Sequence, residues 1–306
     1  MGAFILRRFW QGLLVVFGVT LTVFVVTRLF GDPVNLMLPL TATAEQRAAF
    51  AQQIGLDRPL PIQFMSFVHD LATLDFGQSL WQRRPAIEVV FERLPNTLIL
   101  IGAGLGFAIL LSIPLGIIAA LRPGGIVDRL TVGIGLLGLS MPQFWVGLLL
   151  IVVFSVQLKL LPTSGMGGPA HLVMPAFTLA LTPLARLTML MRSAMIDELN
   201  QQYVMTARAK GLASRRILGV HALRNVMISF IALVGFELIS TLAGYTVVIE
   251  TVFAWPGLGL TAIQAIQRGD LFLMQAIVFV IAFLIVLINI VLDIAFKIID
   301  PRIVLN

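Results

Sequence analysis

The sequence predicts an all-α polytopic membrane protein with six transmembrane helices. Hydrophobic residues make up 58% of the 306-residue chain and charged residues only 12%, whereas soluble domains are about half apolar and about a quarter charged. The mean hydropathy is +0.99. Runs of about 20 apolar residues, the length that crosses a bilayer, occur six times, at residues 9–30, 97–121, 130–158, 171–190, 226–249 and 271–296.

The first run is interpreted as a retained anchor rather than a cleaved signal peptide. It follows Arg7 and Arg8, as signal peptides do, but it is longer than their usual apolar core and no A-x-A site ends it. We therefore expect three parts: an anchor helix at 1–30, an extracytoplasmic loop with short helices at 31–95, and a five-helix core at 96–306 that includes a polar loop at 192–224.

The distribution of basic residues predicts that both termini are cytoplasmic. With the N-terminus inside, the inner segments hold 13 of the 21 basic residues and five acidic ones, whereas the outer segments hold 8 basic and 9 acidic residues. Cytoplasmic connections retain positive charge in this way. The pI of about 10.7 does not indicate nucleic-acid binding, because no basic stripe interleaved with aromatics accompanies it.

The first outer connection contains two short helices. Thr43 and Gln46 form the pattern of a capping box before a helix that Gly55 ends. A second helix is predicted to begin at Pro61, because proline suits a first helical turn. These helices fit either a folded cap that meets a partner or a solvated spacer, and the sequence leaves both open.

The polar loop at 192–224 is rich in good helix formers and is interrupted by Gly211. In helical register, Ala207, Gly211 and Ser214 share one face and would form a stripe of small side chains, with basic residues around it. Such a helix fits a groove on a partner protein. It also fits an anionic lipid surface, and both interpretations stay open on composition alone.

Several kinds of chemistry are absent from the sequence. The lysines are Lys159, Lys210 and Lys297, and none follows glycine, so the chain holds no phosphate-binding G-x-x-x-x-G-K-[ST] motif. It has no cysteine, and the predicted topology places His69 and His171 outside but His221 inside. We therefore expect no catalytic residues and no metal site.

Glu237 is the one ionisable residue predicted near the centre of a span, whereas Arg28, Arg186 and Asp293 are placed near span ends. Ionisable residues at membrane depth mark transport pathways or structural pairs. Glu237 is therefore a proton or cation site, a residue facing a polar cavity, or an acceptor for a neighbouring helix.

Helix breakers are frequent within the runs. Proline kinks a helix, and glycine permits close backbone approach. These features suit a moving gate or a static, tightly packed bundle; they are Pro114, Pro142, Pro175, Pro183, Gly102, Gly104 and Gly106.

The stretch YVMTARAKGLASRRILGVHALRNVMI at 203–228 resembles the cytoplasmic loop of ABC-importer permeases, and most closely that of the dipeptide/oligopeptide/nickel subgroup. LPNTL at 94–98, LPTSG at 161–165 and VIETVFAWPGLG at 248–259 support the resemblance, which covers nearly the whole chain. The general E-A-A-x-x-x-G pattern is met by Met205, Thr206, Ala207 and Gly211, so its glutamate is missing. Leu223 and Arg224 replace its later Leu-Pro.

The resemblance implies a type I ABC importer permease fold in the cytoplasmic (inner) membrane of a bacterium or archaeon. It implies that the loop is a coupling helix seated on a separate ATPase subunit. The partners would be a second homologous permease in a heterodimer, two ABC ATPases, an extracytoplasmic solute-binding protein and membrane lipid. No nucleic acid is expected. ATP and Mg would be held by the ATPases, and this chain would bind no cofactor.

The function so implied is that of a permease subunit that forms half of the pathway for short peptides. The alternatives are a nickel or other small-solute ABC permease and, from another class, a gradient-driven carrier working through Glu237. The residues expected to couple to the ATPase are Asp197, Tyr203, Thr206, Ala207, Arg208, Ala209, Lys210, Gly211, Leu212, Ser214, Arg215 and Arg216. The residues expected in the path or gate are Pro142, Glu237, Glu250, Pro256, Gly257 and Gly259.

Overall fold

The computed structural model describes residues 2–29, 34, 38 and 41–299. Within these ranges the chain is helical and contains no named β-strand, which confirms the predicted all-α class. The helices are α1 (Gly2–Leu29), α2 (Ala44–Gln53), α3 (Leu60–Thr73), α4 (Ala86–Leu121), α5 (Ile126–Ser140), α6 (Gln143–Gln157), α7 (Pro169–Leu199), α8 (Gln202–Ala209), α9 (Ser214–Val252), α10 (Leu258–Gln267) and α11 (Leu271–Ile299). Short π-helical segments lie within α6 and α9.

Among the described residues, α1, α4, α7, α9 and α11 each contain a stretch long and apolar enough to cross a membrane. Within the third predicted run, α5 and α6 are bent by 100° at a short break next to Pro142, one of the expected helix breakers. Met141 is extended there, with φ −91° and ψ 131°, since Pro142 disfavours a helical residue before it. Counting this bent pair as one span gives six. The predicted end of the first run at Phe30 lies outside the described residues.

The chain forms two compact units. The first comprises Met1–Thr97 and Pro256–Leu287, and the second comprises Leu98–Trp255 and Ile288–Asn306. Helices α4 and α11 contribute residues to both. The expected division at residues 95 and 96 stays a prediction.

The first unit has its core where the start of α4 packs on α10 and α11. Val89, Val90, Leu273 and Ile277 are among its buried residues. Asp270, only 1% exposed, caps α11 by accepting from the Leu273 N–H at 3.1 Å and also accepts from the Ser79 hydroxyl.

The two short helices of this unit form as predicted. Thr43 and Gln46 make both hydrogen bonds of the capping box at the start of α2, and Gly55 follows its end with φ +71°. Pro61 lies in the first turn of α3. On α3, Phe64 and Phe67 pack against Phe24 of α1, with ring centroids 5.7 and 4.9 Å away, so α3 is a packed element rather than part of a solvated spacer.

The second unit is built around α7. Leu187, Met191 and Met195 of that helix are completely buried with Phe230 of α9. Of the three glycines expected to permit close approach in α4, only Gly104 does so: a Cβ built there would lie 3.1 Å from the Ala176 carbonyl oxygen, whereas Gly102 and Gly106 face open space.

Candidate functional site

The loop at 192–224 contains two helices joined by a sharp turn at Gly211. The Gly211 N–H donates to the Arg208 carbonyl at 2.9 Å, and the Leu212 N–H donates to the Ala207 carbonyl at 3.2 Å. These two bonds form a Schellman motif, which requires a left-handed residue after the helix. Gly211 supplies that conformation with φ +77°, where a Cβ would cost roughly 1–2 kcal/mol.

The predicted stripe of small residues on one helix face is wrong. Ala207 lies in α8, Gly211 lies in the turn, and Ser214 is the first residue of α9. The 3.6-residue register therefore does not extend across the three, because the left-handed glycine reverses the chain between them. They are presented by a helix end, a turn and a helix start.

Four basic side chains surround this turn. None of them forms an ion pair with a residue in the described ranges, and all are exposed; they are Arg208, Lys210, Arg215 and Arg216. The turn is therefore an exposed, uncompensated positive surface, which suits an acidic partner or anionic headgroups.

A polar cluster holds α8 against its neighbours. The Tyr203 hydroxyl donates to Glu198 Oε1 at 2.5 Å, and Asn225 Nδ2 donates to the same oxygen at 2.7 Å. Burial, followed by the hydrogen bond and the charge of Glu198, raises the pKa of Tyr203 to about 12, although a hydrogen bond from Asn225 opposes this. Tyr203 is therefore a protonated donor at neutral pH. It joins the end of α7 to the start of α8 and to α9.

Glu198 and Asn225 were not among the candidate residues from the sequence. The signal available was weak, because both are ordinary polar residues, one in the polar loop and one just after it, 27 positions apart. The expected coupling residue Asp197 is exposed, and its side chain makes no hydrogen bond with the described residues.

The beginning of the loop is fixed by an ion pair that the sequence did not indicate. Arg192 donates through Nε to Asp128 Oδ1 and through Nη2 to Asp128 Oδ2, the latter at 2.7 Å. The Gly124 N–H also donates to Oδ2, at 2.7 Å. Asp128 is 3% exposed, so a bidentate charged contact joins α7 to the first turn of α5.

Glu237 is fully buried and pairs with Arg186. Arg186 Nη1 donates to Glu237 Oε1 at 3.1 Å, while Glu237 Oε2 has no partner. Arg186 lies at mid-helix in α7, which runs from Pro169 to Leu199, and its placement near the end of a span stays a prediction. Of the three interpretations of Glu237, the geometry supports an acceptor for a neighbouring helix. The Arg186 side chain is 37% exposed, so this pair is accessible from the arginine side.

Pro142 and Glu250 lie in the same unit as Glu237. Pro142 is the N-cap residue of α6 at the 100° bend, where the neighbouring Gln143 Nε2 donates to Thr182 Oγ1 at 2.8 Å. Glu250 is completely buried near the end of α9. After that end, Ala254 is left-handed with φ 47°, and the Gly165 N–H of the LPTSG stretch donates to the Phe253 carbonyl at 2.8 Å.

Pro256, Gly257 and Gly259 lie in the first unit, where the LPNTL stretch binds their turn. Asn96 Nδ2 donates to the Pro256 carbonyl at 2.8 Å, and Thr97 Oγ1 accepts from the Leu258 N–H at 2.8 Å. Thr97 thus caps the start of α10 from another helix, and Gly257 is the N-cap residue of that helix. Two strings that the sequence showed separately are joined by these bonds, yet Asn96 and Thr97 were not among the candidates.

No group of three or more metal-ligating side chains occurs in the part of the chain that the structure describes. The chemistry present in the second unit is an exposed basic turn at the end of α8 and buried carboxylates paired with arginines of α7.

Comparison with protein families gives matches over both ends of the chain. A family described as "Binding-protein-dependent transport system inner membrane component" matches residues 112–305. Its N-terminal companion, "Binding-prot-dependent transport system membrane comp, N-term", matches residues 1–101.

Similar curated proteins align over nearly their full length. The oligopeptide transport system permease protein AppB of Bacillus subtilis is 36% identical, with 99% of each chain covered. The dipeptide transport system permease protein DppB of Escherichia coli K12 is 34% identical, with 98% of each covered. The di/tripeptide transport system permease protein DppB of Pseudomonas aeruginosa is 38% identical, again with 98% of each covered.

A solved structure with a similar fold is an inward-facing form of the MetNI methionine ABC transporter. One of its chains is superimposed with a TM-score of 0.57 at 20% identity, covering 69% of this chain and 96% of that one. At this identity the likeness establishes the fold, which is that of an ABC importer permease.

Proposed function

Because this chain belongs to the family of binding-protein-dependent transport-system inner-membrane components, we propose that it carries short peptides across the inner membrane as a permease subunit of an ATP-driven importer. The observation that carries the proposal is the 34–38% identity, over nearly the whole length, to permeases named for oligopeptide, dipeptide and di/tripeptide transport. The solute path would lie between this chain and a second, homologous permease in a heterodimer.

The exposed turn around Gly211 is proposed to dock in a cleft of a separate ATPase subunit. Its exposed positive charge supports this, and so does the bracing of α8 by the Tyr203, Glu198 and Asn225 hydrogen bonds. A docking element must transmit force, and one held by charge-assisted hydrogen bonds moves as a unit with the helices it joins. The residues proposed to couple are those expected from the sequence, with Glu198 and Asn225 added as braces.

The energy source is proposed to lie outside this chain. Two ATPase subunits would bind ATP and Mg, and a solute-binding protein would deliver the peptide from the other face. With the turn at Gly211 on the cytoplasmic side, both termini are cytoplasmic, which agrees with the excess of basic residues in those segments. ATP binding would draw the two coupling turns together and open the path outward, and hydrolysis would return it inward.

The path and gate are proposed to include Pro142, Glu237, Glu250 and the turn at Pro256, Gly257 and Gly259. Arg186 is added, because it is the partly exposed member of the buried pair. The bend at Pro142 and the left-handed Ala254 support hinge positions at these places.

The test is transport by the assembled complex in vesicles. The chain would be co-expressed with its partner permease, ATPases and binding protein, and uptake of a labelled dipeptide would be measured with ATP and without it. We expect uptake that requires ATP and all the partners. Uptake by the lone chain driven by a proton gradient would contradict the proposal, and so would ATP-driven uptake of Ni²⁺ with none of peptide.

A further inference from the structure

A polar cavity of about 230 Å³, open to the surface, is formed by residues of the first unit. It is lined by the end of α2, the turn after it, α3 and the start of α11. Its polar lining includes Gln52, Arg58, Gln63, Ser66, Asp70 and Gln275. Since one water takes up about 30 Å³ in the liquid, the cavity accommodates a small solute rather than a single bridging water.

Gln63 lines this cavity with an unsatisfied acceptor. The residue is 8% exposed. Its Nε2 donates to the Leu56 carbonyl at 3.2 Å and to the Arg58 carbonyl at 2.7 Å, whereas Oε1 has no partner. Buried polar atoms are rarely left unpaired in proteins. The two donated bonds fix the amide, so Oε1 is a positioned acceptor for an N–H or ammonium group from an occupant.

Two opposite charges line the same cavity without neutralising each other. Within the described ranges, neither the Arg58 guanidinium nor the Asp70 carboxylate makes a hydrogen bond or ion pair with its side chain. Burial and the neighbouring Asp75 raise the pKa of Asp70, although His69 opposes the shift. A cation beside Asp70 would relieve that cost.

We propose that this cavity binds a zwitterionic short peptide, with the peptide ammonium at Asp70 and Gln63 Oε1 and its carboxylate at Arg58. The inference rests on the proposed function, since it assigns the imported solute a second binding place on this chain. The pairing follows from the donor and acceptor chemistry: acceptors select the ammonium, and a guanidinium selects the carboxylate by bidentate hydrogen bonds. The neutral side-chain amides of Gln52 and Gln275 can hydrogen-bond to the peptide bond that lies between the two charged ends of the ligand.

The first test uses the unaltered, full-length chain, purified in detergent without its partners, and three ligands in calorimetric titration. The ligands are Ala-Ala, N-acetyl-Ala-Ala and Ala-Ala-amide. We expect Ala-Ala to bind, and each blocked form to bind roughly tenfold or more weakly, as loss of one charge-assisted contact predicts. Equal binding of all three, or no binding of Ala-Ala at millimolar concentration, would overturn the inference and leave a cavity that holds only water.

The second test assigns the two ends of the ligand. Asp70→Asn should abolish the preference for the free amino group, and Arg58→Gln should abolish the preference for the free carboxylate. Asp57→Asn is the matched control, because Asp57 is an exposed carboxylate next to Arg58 that does not line the cavity. Loss of both preferences in the control, or retention of both in Asp70→Asn and Arg58→Gln, would contradict the assignment.

Parallel uptake assays separate this inference from the proposed function. If the complex imports dipeptide with ATP but the chain alone binds none, only the cavity assignment fails. If the complex transports no peptide at all, the proposed function fails with it, whatever the calorimetry shows.

Discussion

At the scale of single residues, the pair formed by Arg186 and Glu237 has two unequal members. Glu237 is completely buried, whereas 37% of the Arg186 side chain is exposed. A buried charge that loses its partner keeps its full desolvation cost, whereas a guanidinium with part of its surface exposed bears less of that cost. The carboxylate therefore depends on the arginine more than the arginine depends on the carboxylate.

This asymmetry predicts that Arg186→Gln lowers the melting temperature of the purified chain more than Glu237→Gln does. In the double variant neither charge remains, so its loss should be smaller than the sum of the single losses, with a coupling energy of about 0.5–3 kcal/mol. Thermal unfolding in detergent measures this. Additive losses would show that the two side chains do not interact. For transport, Glu237→Gln should change rate or specificity without abolishing uptake.

Tyr203 predicts a dependence of stability on pH. Its pKa rises from about 10 in the unfolded chain to about 12 in the folded one, so the folded protein holds the phenol proton more tightly. The stabilisation is complete below pH 10 and is lost as pH rises from about 10 to about 12.

We expect the stability difference between the unaltered chain and Tyr203→Phe to be constant from pH 7 to 9 and to shrink above pH 10. Chemical unfolding at each pH measures it. The chain has two tyrosines, so Tyr245→Phe is the matched control for tyrosinate absorbance. A Tyr203 that ionises near pH 10 would contradict the prediction.

At the scale of elements, the turn between α8 and α9 combines a conformational demand with a surface demand. Gly211 is left-handed, and a Cβ built on it meets no atom within 4 Å. A substitution there consequently strains the backbone but clashes with nothing inside the chain. Loss of function beyond that strain would therefore report on what the turn meets outside.

Three substitutions separate these demands. Gly211→Asn tolerates the left-handed conformation and should retain coupling; Gly211→Ala adds only strain, and Gly211→Arg adds strain and bulk. We expect Gly211→Arg to reduce ATP-dependent uptake at least tenfold more than Gly211→Ala, although both should lower the melting temperature of the isolated chain similarly. Equal uptake by the Ala and Arg variants would contradict docking at this turn.

The same turn shows why a local pattern succeeded in part. Glycine, proline and capping residues act through their own backbone, so the interruption at Gly211, the bend at Pro142 and the capping box at Thr43 followed from the sequence. The small-residue stripe failed because the left-handed glycine that interrupts the helix also ends its register. Gly211 was expected both to interrupt the helix and to share one helix face with Ala207 and Ser214. One residue cannot do both.

At the scale of the whole molecule, hydropathy placed the apolar runs but gave no information on distant partners. Arg192 pairs with a residue 64 positions away, and Arg186 with one 51 positions away. Local charge patterns therefore did not show that Arg186 pairs with Glu237 on another helix. The joining of the LPNTL and PGLG stretches likewise required the fold, because only the folded chain shows Thr97 beside the Leu258 N–H.

The topology can be tested directly because the chain contains no cysteine. Ala48 on α2 and Ser214 on α9 are both exposed, so each can be replaced singly by cysteine. In intact cells, a membrane-impermeant maleimide should label the cysteine of Ala48→Cys and leave that of Ser214→Cys unlabelled until the cells are broken open. The reverse pattern would place the termini outside and contradict cytoplasmic coupling.

The bond between Arg192 and Asp128 has a mechanical consequence. Arg192 lies in the last turns of α7, and Asp128 lies in the first turn of α5, the helix that ends at the bend before Pro142. A force applied at Gly211 and transmitted along α7 must either move the first turn of α5 or break the bidentate contact between Arg192 and Asp128. Movement of the turn at Gly211 and movement at the Pro142 bend are thus coupled. Without the contact between Arg192 and Asp128, the turn should move while the bend stays in place.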